Sequence, residues 1–359
     1  MERVYLRPTA FVDSPVGLDE AAQRLAGGLT WFSAVEVIRR SGATVTREFV
    51  PVGDIGARLT EIGDAAVLAW QRLTAPRPAL KMRERTVPLD QPQVMGIVNV
   101  TPDSFSDPGQ LADPTIAIEA GHAMAAAGAA IVDVGGESTR PGAQPVWEGD
   151  ESDRVTPVVR ALAGAGTAVS VDTRKAVVMA VALEAGAAMI NDVSALTFDN
   201  RSAEVLRGAT CPVVLMHHLG TPETMQQNPT YDGPVLLEVY DWLEARIEAA
   251  VAAGIARERI VVDPGIGFGK NVQHNLELMN GLALFHGLGC PLLLGASRKR
   301  TIGALSNEAP PDQRLGGSLT LALKAAEQGA QIIRVHDVFE TVQALRVWRG
   351  LRDAALTAR

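Results

Sequence analysis

The segment AIVDVGGESTRPGAQPVWEGDESDRVTPVVRALAGAGTAVSVD (130–172) holds one complete structural repeat. It opens on a short apolar, β-branched run, AIVDV (130–134), and passes through a polar, Gly-rich turn. An amphipathic stretch over 153–164 follows, and a second apolar run, AVSVD (168–172), closes the segment. Short runs of this kind bounded by turn residues read as buried strands, and a helix between two of them makes a parallel βαβ unit.

The same unit recurs on both sides of that segment. VMGIVNV (94–100), AMIND (188–192), PVVLM (212–216), IVVD (260–263), PLLLG (291–295) and QIIRV (331–335) bring the strand-like runs to eight. Helices are predicted between or after them at 115–128, 174–186, 235–254, 313–328 and 337–349, several ending in Gly as helix C-termini do. Eight βα units in roughly 250 residues predict an α/β fold of the (β/α)8 TIM-barrel type, here spanning 92–359. A doubly wound open sheet is the alternative, but no GxGxxG follows the first run.

Residues 1–91 lack the repeat and are expected to form an N-terminal α+β extension or small cap domain. Helices are predicted at 18–26 and 54–73, with a strand around VTREFVPV (45–52) and a Pro-containing link, TAPRPALKMRERTVPLDQP (74–92).

Composition narrows the function. Of 359 residues, 47% are hydrophobic and 21% charged, as in a folded globular chain. Lys and Arg number 33 against 41 Asp and Glu, a net charge of −8, so no basic field exists to hold nucleic acid. Cys211 and Cys290 lack CxxC spacing, which argues against a zinc site or disulfide framework and fits a reducing, cytoplasmic compartment. The opening MERVYLRPTAFVDSP carries no signal-like apolar region, and stretches such as AMAAAGAAIVDV (123–134) are too short and interrupted for a membrane span. Aromatics are only 4%, so the core must be built from Val, Ile, Leu and Ala.

In such barrels chemistry gathers where strands hand over to βα loops. Every predicted strand here delivers polar residues to that rim. Asn99 and the loop to Asp107 follow the first, Gly135 to Gly142 the second, Asp172 to Arg174 the third, and Asn191 and Asp192 the fourth. The fifth ends in His217 and His218, the sixth in Asp263 to Lys270, the seventh in Ser297 to Lys299, and the eighth in Arg334 to Asp337. Singly, each has a plain explanation: Asp263 before Pro-Gly forms turns, Asn191 and Asp192 cap helices, and Arg298 and Lys299 suit a solvated face. Together they would have to coincide eight times on one rim.

The residue types describe a ligand. Asp172, Asp263 and Asn191 supply acceptors and an amide for a flat heterocycle with an amidine-like N–H edge, as in guanine or a pterin. Thr139, Arg334, His336 and Asn99 supply donors and a neutral oxygen, as a phosphate group with Mg2+ requires. No G-x-S-x-G or HExxH signals a nucleophilic serine or a zinc hydrolase.

MGIVNVTPDSFSD (95–107), VDVGGESTRPGA (132–143), SVDTRK (170–175), INDVSA (190–195), DPGIGFGK (263–270), SRK (297–299) and RVHD (334–337) closely resemble, in order, the signatures of the dihydropteroate synthase family. The resemblance covers about 94–350. It implies condensation of (7,8-dihydropterin-6-yl)methyl diphosphate with 4-aminobenzoate to 7,8-dihydropteroate and diphosphate, with Mg2+ as cofactor and small molecules as the main partners. By motif, Asp172, Asn191, Asp263, Phe268 and Lys299 fall at pterin-pocket positions and Asn99 at the Mg2+ ligand. Thr139, Arg334 and His336 fall at diphosphate contacts, and Phe105, Arg140, Pro141 and Ser297 around the aminobenzoate. The resemblance further implies that Asp172, Asp263, Lys299 and Arg334 carry the catalytic roles and that Asp103 belongs to the first loop, and a homodimer packed through late barrel helices is the family habit.

Two departures stand out: His218 and Leu219 replace the usual residues after strand five, and Pro108 stands where a double glycine is common. A pterin-binding methyltransferase-type barrel would not need the Ser-Thr-Arg-Pro loop, and a paralogue without turnover would be expected to lose Asn99, Lys299 or Arg334. All are present.

Overall fold

The computed structural model describes residues 2–101, 113–138, 142–221 and 224–357. The chain starts with an antiparallel sheet. β1 (Arg3–Val12) pairs along one edge of β3 (Trp31–Ser41), and β4 (Thr44–Pro51) and the short β2 (Gln23–Arg24) pair along the other. β4 is the strand expected at 45–52. β1 and β3 were not expected, and the helix expected at 18–26 does not form. Its span is turns plus β2, interrupted by left-handed backbone at Glu20 and Ala26 and flanked by it at Gly17 and Gly27, which no α-helix accommodates. The helix expected at 54–73 is two, α1 (Ile55–Ile62) and α2 (Asp64–Thr74), divided at Gly63, where φ is 110°.

A hairpin, β5 (Leu80–Met82) and β6 (Arg85–Val87), leads into the barrel. There the elements alternate: β7 (Gln93–Asn99), α3 (Pro114–Ala126), β8 (Ile131–Gly135), α4 (Glu148–Gly164), β9 (Val169–Asp172), α5 (Ala176–Ala185), β10 (Met189–Asp192), α6 (Ser202–Gly208), β11 (Val213–Met216), α7 (Val235–Ala252), β12 (Ile260–Asp263), α8 (Val272–Asn280), β13 (Leu293–Leu294), α9 (Arg300–Leu305), α10 (Leu315–Glu327), β14 (Ile332–Val335) and α11 (Val338–Thr357). Strands β7 to β14 form one parallel sheet in the order β12-β11-β10-β9-β8-β7-β14-β13. A parallel bridge from Val262 to Leu292 joins its two ends, so the chain is a (β/α)8 barrel with an N-terminal extension. No helix among the described residues is long and apolar enough to cross a membrane.

The two faces of each strand are distinguished by what they pack against. Val132, Val134, Val169, Val171, Val213, Leu215, Ile333 and Val335 join the large cluster that includes the barrel helices. The alternate residues Met95, Ile131, Met189, Val214, Val261, Leu293 and Ile332 point into the lumen, where Leu80, Met82, Val87 and Leu89 of the hairpin segment plug the barrel floor. Two residues further along the strands, the lumen-facing positions are Asp133, Asn191, Asp263 and Arg334. The lumen is therefore sealed by apolar packing below and polar above.

The N-terminal sheet docks on the barrel's outer wall. Leu6, Val35 and Val37 pack on Ile55, Leu59, Ala66 and Leu73 of α1 and α2, whereas Tyr5 and Ile38 join the barrel's own cluster. Polar contacts fix the seam: the Tyr5 hydroxyl donates to Asp241 at 2.9 Å, Arg77 Nη2 donates to the carbonyl of His286 at 2.9 Å, and Arg352 Nε to that of Leu29 at 2.8 Å.

Candidate active site

Arg334 is the hub of the lumen. Its Nε donates to Asp133 Oδ2 at 2.6 Å and its Nη2 to Asp172 Oδ2 at 2.9 Å, while Asn191 Nδ2 donates to the same Asp133 oxygen at 3.0 Å. Asp133 is fully buried and was not among the expected site residues. The available signal was its spacing, two positions beyond the lumen-facing Ile131. Burial pushes the Asp172 carboxyl up to about 7, with Arg334 pulling it down and Asp133 pushing it further up. Burial also works against the Arg334 charge, but Asp133 and Asp172 outweigh it and hold the guanidinium protonated.

Asp263 closes β12 and caps the loop that follows. Its Oδ1 accepts from the amide of Gly265 at 2.7 Å, and its carbonyl accepts from the amide of His217 at 2.9 Å. A side chain at Gly265 is impossible: an added Cβ would lie 1.9 Å from the His217 carbonyl oxygen, at φ 68°. Burial pushes the Asp263 carboxyl up, and Lys299 draws it back. Lys299, at the start of α9, donates through Nζ to the Ile266 carbonyl and stands 4.7 Å from the centre of the Phe268 ring. Burial lowers its ammonium to about 8 against the pull of Asp263.

The last two loops are joined. Ser297 Oγ accepts from the amide of His336 at 3.3 Å and lies 3.2 Å from its Nδ1. Arg298, for which a solvated face was the plain reading, makes a two-point pair with Asp337, one arm at 3.0 Å. Asn99 ends β7 half-buried, level with Gly135, which is in turn level with Asp172; its Oδ1 lies 3.5 Å from where a Cβ would stand on Gly135. Among the described residues, no group of three or more His, Cys, Asp or Glu forms a metal cage.

The pterin-binding enzyme family matches residues 95–336 of this chain. The dihydropteroate synthase of Escherichia coli (strain K12) is 49% identical over 260 residues, covering 72% of this chain and 91% of that protein. A Yersinia pestis dihydropteroate synthase, solved with a sulfonamide drug, superposes with a TM-score of 0.74 at 47% identity, covering 77% of this chain and all of its own. The chain belongs to the dihydropteroate synthase family. Another member, the Xanthomonas albilineans dihydropteroate synthase solved with 4-aminobenzoic acid, superposes with a TM-score of 0.72 at 45% identity over 77% of this chain and 98% of its own.

Of the positions carried over from dihydropteroate synthase motifs, the structure brings together Asp172, Asn191, Asp263, Phe268, Lys299 and Arg334, with Ser297, His336 and Asn99 on the same rim. Phe105, Thr139, Arg140 and Pro141, with Asp103 and Pro108, lie outside the described residues. The described part of the second loop is held by a buried charge cluster that sequence reasoning missed. Glu137 accepts from Arg174 Nε at 2.9 Å, Lys175 Nζ at 2.8 Å and the amide of Val146 at 2.9 Å, and Lys175 also pairs with Glu151. Burial works against the Glu137 charge, yet these donors hold its carboxyl below the ordinary range. At the departures after β11, the His218 ring lies 3.4 Å from Thr197 Oγ1 and 3.1 Å from the Gly220 carbonyl, bridging two loops. Leu219 packs its backbone against Gly269, where an added Cβ would lie 2.5 Å from the Leu219 carbonyl oxygen.

Proposed function

We propose that the protein condenses (7,8-dihydropterin-6-yl)methyl diphosphate with 4-aminobenzoate, releasing diphosphate and forming 7,8-dihydropteroate. The observation that carries this reading is the polar lumen: acceptors Asp172 and Asp263, the Asn191 amide and the donor Lys299 converge above an apolar floor, matched by family membership. A pterin presents ring and exocyclic N–H groups on one edge and an oxygen and nitrogen on the other. Two buried carboxylates meet the first edge and Lys299 the second. Phe268 supports Lys299 through its ring.

The reaction asks little covalent chemistry of the protein. The bond from the methylene carbon to the diphosphate oxygen breaks with its electron pair leaving on oxygen, and the electron-rich pterin stabilises the carbon. The arylamine lone pair then forms the new C–N bond, and the nitrogen sheds its proton to solvent. Arg334 keeps one guanidinium nitrogen, Nη1, apart from its two carboxylates, and that donor with His336 suits the departing diphosphate. Holding both substrates in one water-poor lumen supplies orientation.

Mg2+ fits as a partner of the diphosphate rather than as a caged ion. Mg2+ binds through one or two protein oxygens plus substrate phosphates and water, and Asn99 offers one neutral oxygen on the rim. When bound, it offsets the charge that builds on the leaving diphosphate. The homodimer typical of the family finds support on the outer face of α11, where Phe339, Val347 and Leu351 are 63%, 61% and 70% exposed. Sedimentation at the mass of one chain would remove that assignment.

The decisive experiment incubates the purified protein with the pterin diphosphate, 4-aminobenzoate and Mg2+ and follows diphosphate. Release that depends on 4-aminobenzoate is expected; absence of release sinks the reading.

A further inference from the structure

The loop after β12, Ile266-Gly267-Phe268-Gly269-Lys270, is tied down carbonyl by carbonyl. Ile266 O accepts from Lys299, Gly267 O from Gln226 Nε2 at 2.5 Å, Phe268 O from Lys270 Nζ at 3.0 Å, and Gly269 O from the Tyr231 hydroxyl at 2.9 Å. The Gly267 amide is taken as well, donating to Asn275 Oδ1 at 2.8 Å. Three glycines in left-handed conformations, Gly265, Gly267 and Gly269, leave the backbone little intrinsic preference for this path, so the side-chain donors must impose it.

Among those donors Lys270 is the unusual one. It is 2% exposed, and its Nζ contacts are the Phe268 carbonyl, His217 Nδ1 at 2.8 Å and, at the limit of hydrogen bonding, the His217 carbonyl at 3.5 Å. Burial pushes the Lys270 ammonium well below its usual range, but charged or neutral its Nζ keeps hydrogens to donate, so these contacts join the loop after β11 to the loop after β12. His217 is itself fixed, because its amide donates to Asp263 and its ring lies edge-on to Trp242 at 4.8 Å. To accept from Lys270 the imidazole must be unprotonated at Nδ1 and carry its hydrogen on Nε2. Burial, with the Lys270 charge adding to it, holds the imidazole well below its usual range and therefore neutral.

We propose that Lys270 is a positioning residue for the heterocycle pocket: by tying Phe268 to His217 it sets the Phe268 ring and, through that ring, the approach of Lys299 to the ligand edge. The inference rests on the reading that Asp263, Phe268 and Lys299 hold a pterin. Lys270 needs no contact with substrate for this role.

Lys270→Met keeps the length and burial of the side chain and removes its donors. The test measures calorimetric binding of 6-hydroxymethylpterin, KM for each substrate, and the 15N chemical shifts of His217. Pterin affinity should fall about tenfold or more, because the loop loses one carbonyl anchor and the imidazole its partner. KM for 4-aminobenzoate at saturating pterin diphosphate should stay within about twofold, a split that general destabilisation would not produce. The His217 Nδ1 resonance should lose its hydrogen-bonded shift. His217→Leu, which leaves no side-chain acceptor for Lys270, is the second variant and should show the same pterin-selective loss, including where Lys270→Met does not fold. Unchanged pterin affinity in the folded variants, or equal rises in both KM values, overturns the proposal. Failure of the wild-type protein to bind the pterin overturns instead the functional reading, while the 15N shifts still report the Lys270 to His217 contact.

Discussion

Arg334 reaches past an intervening strand to Asp133. The two residues lie on β14 and β8, β7 runs between them in the sheet, and Nε meets Oδ2 at 2.6 Å inside the barrel. Since Arg334 also holds Asp172, and Asp133 also holds Asn191, one cation orders three of the polar groups that face the lumen. Asp133→Asn should therefore weaken more than one contact. We expect a loss of about 1–3 kcal/mol in urea unfolding and a drop in pterin affinity, because a charge-assisted acceptor becomes a mixed donor and acceptor against a guanidinium. Wild-type values in both measurements would remove Asp133 from this role.

Asp263→Asn acts on the other side of the pocket. The Asn amide can keep the bond from Gly265 but presents a donor where a ligand N–H is expected, a mismatch of about 1–3 kcal/mol, or roughly five- to 150-fold in affinity. Calorimetry with the pterin checks it, and unchanged affinity takes Asp263 out of the pocket.

The pH dependence follows from two displaced groups. Asp172 is raised from 3.8 to about 7, so the folded protein keeps a proton that the unfolded chain has released. Its contribution to stability is full below about 4 and is lost as pH rises through about 7. Lys299 is lowered from 10.5 to about 8, so its contribution is full above about 10.5 and lost as pH falls through about 8. Pterin binding needs an ionised acceptor and a charged donor together, so affinity should peak between about 7 and 8. Asp172→Asn should flatten the stability profile between pH 4 and 7, and Lys299→Arg should abolish the alkaline fall in affinity. A profile flat from pH 5 to 9 in the wild-type protein would contradict both assignments.

Asn99→Ala should raise the Mg2+ concentration needed for half-maximal diphosphate release while leaving the affinity for a pterin without diphosphate unchanged. Titration of Mg2+ at fixed substrate gives the comparison. Equal Mg2+ dependence in both proteins would show that Asn99 is not a ligand.

Met82→Ala tests the barrel floor. Met82 is 1% exposed in the apolar plug, so truncation should cost about 2–5 kcal/mol in urea unfolding. Both KM values should hold, because the polar residues stand above the plug; a change in KM at unchanged stability would mean that the floor shapes the pocket directly.

Much of the barrel was legible because its code is local. A run such as VVLM at 213–216 or IVVD at 260–263 declares a buried strand by composition, and a Gly-rich loop behind it declares the rim. The N-terminal layer was harder. β3 carries charged Glu36, Arg39 and Arg40 among its apolar residues, and Glu36 is acceptable inside only because Arg7 and Arg47 converge on it from neighbouring strands. The span 18–26 has helical composition, but four left-handed residues in and around it forbid the helix.

By itself the sequence determined the eight-fold βα alternation, the strand ends that bear Asp172, Asn191, Asp263 and Arg334, and the family to which those motifs belong. These follow from backbone propensity and side-chain periodicity over a few residues. Closure of the barrel decided the rest. Asp133 looks like one polar residue in an apolar strand until the sheet curls and brings Arg334, 201 residues away, within hydrogen-bond distance. Lys270 stands in the sequence as one more polar residue of the rim, at the end of the stretch from Asp263, until the packed loop after β11 buries it against His217. Partners so distant in sequence are chosen by strand order and register, which only the assembled barrel sets.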